Sequence, residues 1–213
     1  MYLTERIAAV IGKQARLVLK ADENSEKIIV YGAVGLLQII GSILWTVIAG
    51  MIFGLVYEVL LFSIAVSVLR KYSGGAHASS PGRCIVVGVT VSTAVSLLIK
   101  HILCRQSFIF GVISAILCIF TASLITVKLA PVDSENKPII SPDMRSRLNH
   151  ASRIVIGLFS IIIIVTLLSF KASGNLYFLK ASYCIALAAL WQSVTLIGFG
   201  IKVLNKVDHI LKF

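Results

Sequence analysis

Long apolar runs are the feature of this sequence that most constrains its fold. The charged residues are confined to a few short stretches, and 58% of all residues are hydrophobic. A bilayer has a hydrocarbon core of about 30 Å, which roughly 20 apolar residues of α-helix can cross. Because several runs reach that length, we predict an all-α integral membrane protein. A soluble enzyme, a secreted disulfide scaffold and a nucleic-acid-binding domain are disfavoured.

Six apolar runs predict about six transmembrane helices, at residues 28–48, 51–69, 81–99, 107–127, 154–170 and 181–201. Almost no loop separates the first two runs, and the second contains a carboxylate, Glu58. Gln38 and Gln192 lie within runs and are interpreted as interhelical hydrogen-bonding residues. We expect one transmembrane bundle over residues 28–201 in a single domain that fills residues 1–213.

The first 20 residues predict an amphipathic helix. On a helical projection the apolar side chains share one face, and the charged ones lie opposite, among them Arg6, Lys13 and Arg16. Such a helix lies on a membrane surface, where a cationic face favours anionic lipids. Packing on the protein's own loops is the alternative. Charges spread through residues 1–27 leave no apolar core for a cleavable signal.

The distribution of Lys and Arg predicts the orientation. With six alternating spans, sixteen of the twenty lie on one side: five in 1–27, three in 70–84, five in 128–153 and three after residue 201. The other side has two in 100–106 and two in 171–180. Basic residues stay in the cytoplasm, so both termini and the loops 70–84 and 131–150 are expected there. We explain the net charge of +11 by the retention of basic loops in the cytoplasm and by their attraction to anionic lipids. We expect no nucleic-acid partner.

A labelling experiment tests this orientation. A cysteine at Ser134, in a protein without its native cysteines, should be protected from an impermeant maleimide in intact cells, because the reagent does not cross the membrane. It should react once the cells are opened. Ready labelling in intact cells would contradict the orientation.

The loop after the second run contains a potential base and a potential nucleophile, His77 and Cys84. Ser80 is a favourable N-cap and Pro81 suits the first helical position, so Cys84 should lie in the first turn of the third helix. Gly74-Gly75 is a flexible segment that can fold His77 back toward Cys84.

This placement suits nucleophilic catalysis. A helix N-terminus and a neighbouring imidazolium both favour a thiolate at Cys84. Unpaired N–H groups of the same turn could stabilise an oxyanion, and Arg70 and Arg83 add positive potential. Spacing alone leaves the alternatives open, since a single cysteine is often a small packing residue and a loop histidine is often solvated.

A metal site is disfavoured. His101 and Cys104 have ligand-like spacing, but the predicted topology puts them across the membrane from His77 and Cys84. Two ligands on each side do not make a tetrahedral site, so we expect no metal and no cofactor.

Two stretches resemble a known family. Residues 70–78, Arg-Lys-Tyr-Ser-Gly-Gly-Ala-His-Ala, followed by Cys84, resemble the signature of the accessory gene regulator B family. Its members are bacterial integral-membrane cysteine peptidases that process quorum-sensing propeptides. Residues 130–138, Ala-Pro-Val-Asp-Ser-Glu-Asn-Lys-Pro, resemble that family's cytoplasmic loop. Ala76 stands where a larger residue is often expected.

The resemblance assigns roles to individual residues. It implies that Cys84 is the nucleophile and His77 its base, that Arg70 and Gly75 are matching motif positions, and that Glu58 is a supporting acid. For Glu58, pairing with a basic group and marking a helix end are alternatives. No third member of a triad is evident.

The implied function is a multi-pass endopeptidase of the bacterial cell membrane. Its substrate would be a small amphipathic propeptide, cut at the cytoplasmic face through a thioester and closed to a thiolactone or lactone. The alternatives are a noncatalytic membrane scaffold and a small transporter, although the sequence has no internal repeat of the kind common in transporters. Monomer and homodimer both remain open.

Overall fold

The structure is a computed structural model that describes residues 3–20, 22–76, 78–133 and 141–212. These residues form α-helices and no β-strand, which confirms the all-α prediction. A single 3₁₀ turn, Leu103–Arg105, joins α4 to α5. The helices are α1 Leu3–Leu19, α2 Glu23–Phe53, α3 Val56–Ser73, α4 Pro81–His101, α5 Phe108–Leu129, α6 Pro142–Ser173, α7 Leu176–Val194 and α8 Gly198–Ile210.

Local sequence signals explain five helix starts and two helix ends. A capping side chain accepts a backbone hydrogen bond at the start of five helices, where the first N–H groups lack helical partners. The C-terminal ends of α2 and α6 are followed by glycines in the left-handed region, Gly54 and Gly174. The five capping residues are Asp22, Ser80, Ser107, Ser141 and Asn175.

Four helices are long and apolar enough to span a membrane: α2, α4 with its 3₁₀ turn, α5 and α6. The bent pair α7–α8 makes a fifth if it counts as one span. Helix α3 has 18 residues, three of them charged (Glu58, Arg70 and Lys71). The described residues therefore support a helical membrane protein of four or five spans by length and composition, and the predicted count of six is not confirmed.

Two predicted boundaries are wrong because apolar run length does not report local geometry. Helix α2 continues through Gly50 to Phe53, and a Cβ at Gly50 would lie 2.8 Å from Val56 Cα, so the glycine permits a tight crossing of α2 and α3. Helix α6 begins at Pro142, whereas we predicted a loop over 131–150. Its first turns are polar, so a search for apolar runs does not detect them.

The predicted sixth span, residues 181–201, is also wrong as one straight helix. Helix α7 ends at Val194, and α8 leaves it at 88°. A Cβ at Gly200 would lie 1.9 Å from the carbonyl oxygen of Val194, so only glycine allows this tight change of direction. The C-terminal helix therefore does not continue the direction of α7.

Helix α7 lies at the centre of the bundle. Eleven of its nineteen residues are buried, and it packs against α3, α5 and α6. Many of these residues are Ala or Ser, which let neighbouring helices approach closely. The Oγ atoms of Ser193 and Thr126 of α5 lie 3.1 Å apart and form a buried hydrogen bond.

The outer helix faces are apolar and exposed, as lipid contact requires. Helix α1 follows the predicted amphipathic pattern and packs on α2 through the buried Ala8 and Gly12. The Arg16 guanidinium pairs with Glu26 of α2 at 2.8 Å. Because the apolar face of α1 is exposed, the described residues favour a surface helix over packing on loops. On that face, exposure runs from 42% to 78% for Ile7, Val10, Ile11, Leu17 and Val18.

Helices α3 and α7 run in the same direction and are joined near both ends. At their starts, the Glu58 carboxylate is 3% exposed and lies 2.6 Å from Lys180 Nζ. Near their ends, Gln192 Nε2 donates to Ser73 Oγ at 3.1 Å. Both alternatives for Glu58 therefore hold, since it lies in the first turn of α3 and pairs with a basic residue.

The buried pair should matter for stability. Glu58→Gln leaves the Lys180 ammonium without its counterion, so we expect a loss of roughly 2 kcal/mol in the free energy of unfolding, measured by denaturant titration in detergent. The double variant Glu58→Gln/Lys180→Gln should recover part of that loss. Glu23→Gln, which breaks an exposed pair with Lys27, is the control and should change little. Equal stability of Glu58→Gln and the native protein would contradict this assignment.

Candidate active site

Cys84 lies where the capping signal predicts. Ser80 Oγ accepts a hydrogen bond from the Arg83 N–H at 3.3 Å, and Pro81 is the first residue of α4. The Cys84 N–H donates to the Ser80 carbonyl oxygen at 3.0 Å. The placement of Cys84 in the first turn of α4 is therefore confirmed.

His77 lies outside the described residues, so its pairing with Cys84 stays a prediction. Its chain neighbours Ala76 and Ala78 are described, and both line a cavity that Cys84 also lines.

Two cavities meet at Cys84. The inner cavity, of about 400 Å³, lies among α2, α3, α4 and α7, and the outer cavity, of about 950 Å³, lies between the start of α2 and residues 78–84. Both volumes fall in the range of small-ligand sites. Residues that line both cavities are Gly35, Gln38, Ala78 and Cys84.

Arg70 lines the inner cavity from the last turn of α3. Its guanidinium donates to the Ala76 carbonyl oxygen, and Cys84 lines the same cavity from the start of α4. Arg70 therefore combines a structural contact with a positive charge in the cavity that Cys84 lines.

The linker between α3 and α4, residues 74–80, is held by α7. Gln192 Nε2 donates to the Gly74 carbonyl oxygen at 2.8 Å, and the Ala76 N–H donates to the Thr195 carbonyl oxygen at 3.2 Å. Gly75 has φ +113° and fits against α7 so closely that a Cβ there would lie 2.6 Å from Thr195 Oγ1. Gln192 is thus the predicted hydrogen-bonding residue, and it supports the linker directly.

The described parts of the two stretches that resemble the family lie side by side at Gly74 and Val132. The Val132 N–H donates to the Ser73 carbonyl oxygen at 3.0 Å, and the Gly75 N–H donates to the Val132 carbonyl oxygen at 3.3 Å. Gly74 and Val132 form a parallel bridge. Arg145 of α6 reaches Asp133 at 3.1 Å. The rest of the second stretch, residues 134–138, lies outside the described part of the chain.

Sequence reasoning missed Asp208, which approaches the site from α8. Its carboxylate accepts a hydrogen bond from Ser79 Oγ at 2.7 Å and pairs with Arg83 Nη1 at 2.9 Å. Burial opposes ionisation of Asp208, but the hydrogen bonds from Ser79 and the charge of Arg83 outweigh it and hold the pKa of this carboxyl below its usual range. The group is therefore ionised at neutral pH. The sequence signal that could have pointed to Asp208 is that it is an acidic residue among the three lysines of the C-terminal tail.

Other candidates lie elsewhere. Glu58 is twelve residues before Arg70 on α3, about 18 Å along the helix, and lines neither cavity. The structure therefore does not bring it to Cys84.

The remaining cysteines, Cys104, Cys118 and Cys184, line neither cavity. Within the described ranges, no three His, Cys, Asp or Glu residues lie close enough together to hold a metal ion.

Fold and site together define a class, namely a helical membrane protein with a half-buried cysteine at a helix start that faces two cavities. The family model for accessory gene regulator B matches residues 4–196, and the chain belongs to that family. Two proteins of Clostridium perfringens are each 30% identical to it over 207 residues, which is 97% of either chain. They are AgrB-like protein 2 of strain 13 and an AgrB-like protein of strain SM101. No solved structure matches.

Membership gives the chain a role in the accessory gene regulator system of quorum sensing, in which this family is linked to propeptide processing. All of α8 lies beyond residues 4–196, so the family match does not include Asp208.

The geometry at Gly75 gives a prediction. Gly75→Ala should lower propeptide processing on the order of 100-fold, because the new Cβ meets Thr195 and the φ of +113° disfavours alanine, so the linker must shift. Processing is measured in membranes that contain the cognate propeptide, at matched protein levels. Gly157→Ala is the control, since a Cβ there meets no atom within 4 Å. Full processing by Gly75→Ala would show that this tight fit has no functional role.

Proposed function

We propose that this protein is a membrane cysteine endopeptidase that cleaves a short amphipathic propeptide in quorum sensing. The observation that carries the proposal is the position of Cys84, which lies at a helix N-terminus and on the wall of both cavities, the inner one shared with Arg70. Reactive cysteines are found at helix N-termini and near basic side chains, and the cavities give substrate access to the thiol.

In the proposed first step the Cys84 thiolate attacks the scissile carbonyl carbon and a carbon–sulfur bond forms. The negative charge moves to the carbonyl oxygen. Among the first N–H groups of α4, those of Arg83 and Cys84 are bonded to Ser80, and Pro81 has none. A Cβ at Gly82 would meet no atom within 4 Å, so this residue lies in open space. We assign its N–H as the donor to the oxyanion.

The second step breaks the carbon–nitrogen bond. His77, as the conjugate acid, protonates the leaving amine, and the product is a thioester on Cys84. A thiol or hydroxyl within the peptide then attacks the thioester carbonyl and gives its proton to the now neutral His77. The bond between the carbonyl carbon and Cys84 Sγ breaks, which closes a thiolactone or lactone and returns the Cys84 thiolate. Apolar side chains of the inner cavity, among them Phe62, Val66 and Trp191, support this outcome because they limit access of water to the thioester.

The outer cavity is the proposed path of the propeptide. It lies between the first turns of α2 and the Ser79–Cys84 turn, and α1 contributes Glu5 and Arg16 to its wall. Because the apolar face of α1 is exposed, we place this helix on anionic lipid at the cytoplasmic face. An amphipathic peptide on the same surface would reach Cys84 without crossing the membrane.

The covalent intermediate tests the mechanism. Cys84→Ala and Cys84→Ser should insert normally and lose processing by at least about 10³-fold, because a serine hydroxyl stays protonated without a stronger base. In the native protein, a propeptide that lacks its ring-closing residue should accumulate as a hydroxylamine-labile thioester. Mass spectrometry should find the added peptide mass on the fragment that contains Cys84.

A matched control uses the other cysteines. The triple variant Cys104→Ala/Cys118→Ala/Cys184→Ala should retain processing, because none of the three lines a cavity with Cys84. Normal maturation by a stably expressed Cys84→Ala protein would overturn the peptidase proposal and favour a noncatalytic scaffold.

A further inference from the structure

Helix α8 reaches back to the linker between α3 and α4. After the 88° bend that follows α7, its residues Leu204 and Asp208 face this region. Leu204 lines the inner cavity together with Cys84. Asp208 is 8% exposed, whereas its charged neighbours on the same helix, Lys202 and Lys206, are exposed. Two separate contacts therefore connect α8 with the surroundings of the thiol.

Both oxygens of the Asp208 carboxylate are occupied by the turn that precedes Cys84. Oδ1 accepts from the Ser79 N–H at 3.1 Å. Oδ2 accepts from Ser79 Oγ at 2.7 Å and from Arg83 Nη1 at 2.9 Å. The Asp208 carbonyl oxygen also accepts from Arg83 Nη1 at 2.9 Å.

Arg83 connects Asp208 to the first turn of α4. Its Nε donates to Ser80 Oγ at 3.0 Å, and the same oxygen caps its own backbone N–H. Arg83 is also the residue directly before Cys84 in sequence. Asp208 therefore holds Ser79 and Arg83 in one arrangement on either side of the cap, and the orientation of the first turn of α4 depends on both.

We propose that Asp208 is a positioning residue, which acts through Ser79 and Arg83 to orient the first turn of α4 and so sets the reactivity of the Cys84 thiol. The inference deepens the proposed peptidase function, because a shift of this turn moves the nucleophile relative to the scissile carbonyl. A displacement of about 1 Å at a reacting group can lower a rate on the order of 100-fold.

The test measures the thiol itself. In the full-length triple variant Cys104→Ala/Cys118→Ala/Cys184→Ala, Cys84 is the one remaining cysteine. Its rate of alkylation by iodoacetamide is measured against pH in detergent, with and without Asp208→Asn. We expect a fall of about tenfold at neutral pH, smaller than the loss of about 100-fold that a 1 Å displacement of a reacting group can cause. Lys206→Gln, on an exposed position of the same helix, is the matched control and should leave the rate unchanged.

Kinetics and a second variant separate positioning from folding. Asp208→Asn should lower kcat for the propeptide and leave KM within about twofold, because binding in the cavities is retained. Ser79→Ala keeps the ion pair with Arg83 and removes one hydrogen bond, so it should lower the alkylation rate by a smaller factor. Combined with Asp208→Asn it should add little.

Unchanged alkylation in Asp208→Asn would overturn the proposal. Should that variant fail to fold, an unchanged rate in Ser79→Ala would overturn it equally. Alkylation requires no peptidase activity, so failure of the proposed function would show separately, as continued processing by Cys84→Ala.

Discussion

The backbone of the linker between α3 and α4 needs hydrogen-bond partners at the edge of a membrane. The arrangement of the site depends on which residues supply them. A polar backbone group left unpaired in an apolar setting is costly. The Gly74 carbonyl oxygen accepts a hydrogen bond from Gln192. The Gly75, Ala76 and Ser79 N–H groups donate to Val132, Thr195 and Asp208, respectively. The partners come from α7, from the chain after α5 and from α8, so a short linker depends on distant parts of the sequence.

This constraint gives the motif residues physical roles. Gly75 is required because the linker passes so close to α7 that no side chain fits, in a backbone conformation that favours glycine. Arg70 joins the linker to α3 through the Ala76 carbonyl and also supplies positive charge to the cavity that Cys84 lines. Among these motif residues, Cys84 is proposed to form a bond with substrate. Gly75 and Arg70 shape the linker that precedes it.

Local signals in the sequence predicted a good part of this arrangement. Run length located both ends of α4 and α5 to within two residues, and Ser80-Pro81 placed Cys84 in its turn because capping depends on three or four neighbouring residues. The bend between α7 and α8 was not predictable in this way, since the residues on both sides of it are apolar. The contact of Gly74 with Val132, and those of Asp208 with Ser79 and Arg83, join residues far apart in sequence. A single sequence gives no measure of such proximity.

The charges of α3 show why composition undercounts the helices of this bundle. Glu58 and Arg70 lie about 18 Å apart along the helix, less than the roughly 30 Å of a hydrocarbon core, so both cannot lie outside it if α3 crosses upright. The structure gives both charges polar partners. Glu58 is buried against Lys180 of the parallel helix α7, and Arg70 lines the inner cavity and donates to the Ala76 carbonyl oxygen. The Glu58 carboxylate is thus paired inside the bundle, whereas the buried Nε of Arg70 has no hydrogen-bond partner among the described residues. The arginine that makes α3 a poor match to a lipid-spanning sequence is also the one that brings positive charge to the cavity that Cys84 lines.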